Sequence, residues 1–200
     1  MANANLPRGL IPVRYRRGAR YDGAVNIYYV PPSYATPLYI GDPVITVTNS
    51  TDANGIPVVN RATAGGGTFI SGVIVGVVAA GQPVIPQLAW GTTYHAASVA
   101  GYVIVEDDPD VLFEVQENSS GGNMGVSAAG RNVDLVAGSG TGANYSGFQL
   151  ASNTLATTNT LQMRVVRPAE RIDNDPTAAD VNAKWWVQIN LHSARNLTGI

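Results

Sequence analysis

Hydrophobic and polar positions alternate along this chain in short runs, and turn-forming residues separate the runs. Residues 25–30 (VNIYYV) are β-branched and aromatic and stop at Pro31-Pro32. Residues 44–48 alternate Val-Ile-Thr-Val-Thr, and Asn54-Gly55 marks a turn before 56–59, so 44–59 reads as a hairpin. Residues 69–78 form a longer apolar run in which Gly72 and Gly76 indicate bulges or close backbone approach. Residues 102–106 and 111–117 flank Asp107-Asp108-Pro109-Asp110 and form the clearest predicted hairpin, with Val111, Phe113 and Val115 on one face. Runs at 132–137, 161–166 and 185–191 complete the strands. In the last, Trp185, Val187, Ile189 and Leu191 share a face, and Trp186 points the other way. Residues 119–130 and 138–147 read as loops, and 175–183 as a short helix starting at Pro176. The pattern predicts an all-β fold: one β-barrel or β-sandwich domain of short strands over residues 23–200, preceded by an extended N-terminal arm at 1–22.

Composition agrees. Only 13% of the 200 residues are charged, lysine occurs once (Lys184), and glycine reaches 22, which disfavours a helical bundle. The chain has no cysteine, so disulfides, thiolate zinc sites and cysteine nucleophiles are excluded. Residues 1–20 lack the apolar core of a secretory signal, and the longest apolar stretch, 69–80, is too short and glycine-broken to span a membrane. The expectation is a protein made in a reducing cytoplasm, with no membrane partner.

Charge changes the picture more. Arg8, Arg14, Arg16, Arg17 and Arg20 all precede the first acid, Asp22, and the remainder carries seven bases against fourteen acids. A basic arm on an acidic body suits electrostatic docking. Pro7 and Pro12 favour extended backbone, and Leu10, Ile11, Val13 and Tyr15 offer apolar contacts between the arginines. The arm therefore reads as a strap that lies on a neighbouring surface or adds a strand to it. Nucleic acid is disfavoured as its partner, because the body shows no second basic patch and no recognised reading module.

Candidate chemistry is sparse. His95 and His192, the only histidines, have no metal-ligand spacing and read as surface or interface residues. The turn holding Asp107, Asp108 and Asp110 reads as a structural turn or an acidic docking patch in preference to a calcium loop. Trp185 and Trp186 are candidate interface residues, and with Trp90, Tyr28 and Tyr29 they would form a glycan platform if the fold assembled them. No catalytic residue, metal site or cofactor is predicted.

The opening MANANLPRGLIPVRYRRGARYDGAVNIYYVPPS, the block YVIVEDDPDVLFEVQE (102–117), NVDLVAGSG (132–140) and NAKWWVQINLH (182–192) resemble, in similar order, segments of the capsid cement (head decoration) proteins of tailed bacteriophages. The resemblance implies a non-enzymatic accessory protein on the outer surface of the capsid. It would act as a homo-oligomer, a dimer or trimer, that bridges neighbouring major capsid protein subunits and stabilises the expanded shell. The alternative is a receptor- or glycan-binding accessory module of the virion. On this reading, deleting residues 2–20 leaves a folded body that no longer binds heads.

Overall fold

The computed structural model describes residues 3–78, 90–138, 140, 145–177 and 181–195. The first strands in chain order are β1 (Ile11–Tyr15), β2 (Asn26–Val30), β3 (Leu38–Tyr39), β4 (Pro43–Thr51), β5 (Pro57–Arg61), β6 (Gly72–Val78), β7 (Trp90–Thr92) and β8 (Tyr94–His95). They are followed by β9 (Gly101–Glu106), β10 (Val111–Gln116), β11 (Asn132–Val133), β12 (Leu135–Val136), β13 (Gln149–Leu150), β14 (Met163–Pro168) and β15 (Lys184–Ile189). The helical pieces among the described residues are three-residue 3-10 turns.

Two large sheets organise these strands. In the first the order is β4-β5-β2-β9-β6, and β6 pairs back to β4 through Pro43–Val73 and Val44–Gly72, which closes a five-stranded barrel. Strand β7 continues from β6. The barrel is antiparallel except for β2 against β5, registered at Tyr29–Val58. Its interior is narrow and is filled mainly by small β-branched side chains, among them Val30, Val44, Val59, Ile74, Val77, Val103 and Val105. Alternation along β9 turns Val103 and Val105 inward and Ile104 outward against Val78 and Val25. Closure demands close approach: a Cβ at Gly72 would strike the Glu106 carbonyl, and the ladder to β9 slips between Ile74 and Gly76. Both glycine readings from sequence hold.

The second sheet is open, with order β1-β10-β15-β14-β11. Its inner face carries Phe113, Val115, Met163, Val165, Trp185, Val187 and Ile189. These pack with Ile70 and Val73 from the barrel side in one core. The β4–β5 hairpin forms as the sequence predicts, with Thr51 opposite Pro57 across the Asp52–Gly55 turn.

Other expectations are corrected. Strands β9 and β10 do not pair: β9 lies between β2 and β6 in the barrel, and β10 between β1 and β15 in the open sheet. The Asp107–Asp110 segment is thus a crossing between sheets. Residues 132–137 break into two strands at Asp134, whose Oδ1 accepts the Gln162 N–H at 3.1 Å. The expected helix at 175–183 begins as an Asx turn, with Asp175 Oδ1 accepting the Thr177 N–H at 2.9 Å, and residues 178–180 lie outside the described set. So do residues 139 and 141–144 of the predicted 138–147 loop.

The arm is built into the body. Strand β1 pairs antiparallel with β10, Ile11 opposite Glu114 and Tyr15 opposite Val111, with an irregularity between Pro12 and Arg14. Proline is tolerated there because β1 is an edge strand. Asn3 bonds residue 175 in both directions, and the Leu6 N–H donates to Gln116 Oε1 at 2.9 Å. Leu10 is 1% exposed and belongs to the main core. The expectation that residues 2–20 can be removed from an intact body is therefore revised, since their loss would strip the β10 edge and empty the Leu10 site.

Candidate functional site

Beyond the core, the open sheet presents an outer face, and its register decides which side chains meet there. One row across the strands runs Arg14, Leu112, Gln188, Arg164; the next runs Glu114, Trp186, Arg167. Arg164 is exposed between buried Met163 and Val165, as strand alternation requires. The slip between Val165 and Arg167 turns Arg167 to the same side as Trp186.

Trp186 is the centre of this face. Arg14 Cζ lies 5.7 Å from its ring centroid and Arg167 Cζ 4.4 Å, one reaching over from the β1 side and the other from β14. Such cation–π contacts fix guanidinium planes and contribute about 0.5–1 kcal/mol each at exposed sites. Adjacent Trp185 faces the opposite way and is fully buried, its indole N–H donating to Glu117 Oε2 at 2.9 Å. The prediction that neighbouring indoles serve opposite faces holds, but only Trp186 remains a candidate for contact with a partner. Tyr28, from the suggested aromatic platform, is in the barrel with its hydroxyl donating to Asp107 at 2.7 Å, on a different sheet from both tryptophans.

Around Trp186 the charges are paired but unequal. Arg171 holds Glu114 at 3.0 Å and Asp173 at 2.9 Å, and Lys184 approaches Asp173 at 3.4 Å. The hydrogen bond from Arg171 holds the Asp173 carboxyl down to about 2, with Lys184 and Arg171 adding charge attraction. Arg167 holds Glu170 at 2.7 Å. At the other end Arg195 meets Asp110 at 2.7 Å, Arg17 approaches it at 3.7 Å, and Arg16 donates to Gln188 Oε1 at 2.7 Å. Exposed pairs like these add little stability but orient the side chains. On and around the face stand Arg14, Arg16, Arg17, Arg164, Arg167, Arg171, Lys184 and Arg195 against Asp110, Glu114, Glu170 and Asp173, so it is net cationic.

The predicted arm residues therefore divide. Arg14, Arg16 and Arg17 join this face. Arg20 is exposed beyond it and joined to Arg14 by an isolated backbone bridge. Arg8 stacks over Tyr145 at 5.6 Å, next to the tight contact of Gly9 with Gly41 and Ser146. Leu10 is enclosed, whereas Ile11, Val13 and Tyr15 are half-buried, and the Tyr15 hydroxyl donates to Asp22 at 2.7 Å. In the acidic turn, Asp107 accepts from Asn26 and Tyr28, and Asp108 caps the Asp110 N–H at 2.7 Å. These carboxylates converge on no common point, and the described residues contain no metal-type cluster of three His, Cys, Asp or Glu.

Two readings from sequence are overturned. Both histidines are buried, not superficial: His192 is 1% exposed and His95 5%. The body is also less acidic outside than its composition implies, because Asp42, Glu106, Glu117 and Asp134 are buried. Sequence reasoning missed the second basic cluster altogether. Arg164, Arg167, Arg171, Lys184 and Arg195 lie more than 140 residues from the arm, and only the pairing of β1, β10, β15 and β14 brings the two sets together. The alternating MRVVRP was the one local sign that Arg164 faces outward.

The molecule is thus an all-β protein with a closed barrel, an open sheet and a cationic, Trp-centred sheet face. Comparison with family models, curated proteins and solved structures returns no match.

Proposed function

We propose that this protein is a docking protein of the capsid-cement type, which binds the outer surface of a phage head and bridges neighbouring major capsid protein subunits. The observation that carries the reading is the convergence of two basic sets, one from the N-terminal strand and one from β14–β15, on a single exposed face. A rigid sheet presenting several guanidiniums suits fast, oriented attachment to an acidic surface. Copies joined as a dimer or trimer would gain avidity from a repeating lattice, so each contact need only be weak. The resemblance of four sequence segments to head decoration proteins is what favours a phage head as that lattice.

On this reading the arm acts as the outer strand of the docking sheet and does not reach out as a free strap. The test is to mix purified protein with undecorated expanded heads, image them, and challenge them with heat. Expected are regular surface densities, raised thermal survival, and weaker binding as salt increases. Bare heads at saturating protein would sink the proposal.

A further inference from the structure

We infer that Trp186, with Arg14 and Arg167 stacked against it, is a recognition centre for an acidic segment of a protein partner, gripped through its carboxylates. This deepens the docking reading and rests on it for the source of the segment. A guanidinium stacked on an indole still presents its in-plane N–H fork, the geometry that takes a carboxylate in two parallel hydrogen bonds. On one side Arg167, 4.4 Å from the ring centroid, already pairs with a carboxylate through one contact, Nη2 to Glu170 Oε1 at 2.7 Å. Glu170 is 66% exposed at its side chain, so a partner carboxylate can displace it. On the other side the Arg14 guanidinium donates to the Gly18 carbonyl at 3.2 Å and has no ion pair among the described residues. Arg164, exposed in the same row as Arg14, has no ion pair among the described residues. A strand-like segment crossing the sheet would present same-side carboxylates about 7 Å apart along this line.

Nucleic acid fits less well. Single strands are held largely by stacking bases on aromatic rings, and the indole of Trp186 is already engaged by the chain's own arginines from both neighbouring sides. The chemistry left open is that of charge-assisted hydrogen bonds, not of base stacking.

The test uses full-length protein and two labelled probes at low salt: an eight-residue peptide alternating Glu and Ser, and a single-stranded oligonucleotide of equal charge. Wild type should bind the peptide. R14K/R167K, which keeps both charges but loses the stacked fork, should bind it at least tenfold more weakly, and R61Q, on the barrel, should bind it as wild type does. Peptide affinity unchanged in R14K/R167K, or tighter binding of the oligonucleotide than of the peptide, would overturn the inference. Undecorated heads separate it from the wider reading. Wild type that binds peptide but not heads removes the cement function alone, and heads bound equally by wild type and R14K/R167K remove this recognition centre alone.

Discussion

At the scale of single residues, the buried ionisable groups set how stability responds to pH. Burial, with help from nearby Arg195, pushes the His192 imidazole down to about 4 from its ordinary 6.5. The unfolded chain then binds a proton that the folded chain refuses. Its contribution is complete above pH 6.5 and is lost as pH falls towards 4, a change of about 3 kcal/mol. Burial also raises the Glu106 and Glu117 carboxyls, against the hydrogen bonds that lower them. Their effect has the opposite sign: they favour the fold below their unfolded values and oppose it as pH rises through the raised ones. Thermal melts at pH 4.5 and 7.5 separate the two. H192Q should flatten the acid loss, and E106Q should raise the melting temperature at pH 7.5 more than at 4.5. Leu10 offers a second measurement. Its replacement by alanine should cost about 2–4 kcal/mol in denaturant unfolding, as for other enclosed leucines. A cost near zero would mean that β1 does not sit in the sheet in solution.

At the scale of elements, strands were legible wherever a short alternating run had turn residues at both ends. Residues 25–30, 44–59, 69–78 and 185–191 meet that condition; the observed β2 and β6 fall within them, and β4–β5 and β15 match them to within two residues at their ends. Pairing was not legible to the same degree. The acidic turn at 107–110 carries good hairpin chemistry, yet β9 and β10 separate into different sheets. Local turn residues permit a reversal but do not supply the partner; here buried Phe113 and Val115 are better satisfied beside Trp185 and Val187. The arm misled in a related way. Prolines and arginines mark extended, charged backbone, and an edge strand needs both, since they protect its open side from unwanted pairing. What locks the arm is Gly9, at φ 68, where a Cβ would collide with the Gly41 carbonyl and with Ser146. G9A should therefore loosen β1 while leaving Leu10 in place. Hydrogen exchange should quicken at the β1–β10 ladder and stay unchanged at the barrel ladder of β6 and β9.

At the scale of the whole molecule, the candidate site could not be read along the chain, because it exists only after the ends meet. Arg14 and Arg167 stand on one tryptophan although 153 positions separate them in sequence. Sequence reasoning found the arm half of the face and the outward-pointing Trp186, half-buried in the structure, but counted the remaining basic residues as scattered charges on an acidic body. The head-binding and peptide-binding experiments test the assembled face as a unit. Binding should fall with added salt for the whole protein, because the arrangement depends on several solvent-exposed charges that salt screens.

Barrel closure also gives the chain an order of assembly. The five barrel strands all lie between residues 26 and 106, whereas the open sheet joins 11–15 to strands that end at 189. During synthesis the barrel has all its strands when roughly half of the chain has emerged, and domains fold as units in that order. Strand β1 must wait for β10, and the cationic sheet face must wait for β15. A ribosome-bound chain stopped shortly after residue 140 should show a protease-resistant barrel and a cleavable N-terminus. The cationic, Trp-centred face is therefore completed at the end of the protein's own folding, after the barrel has closed.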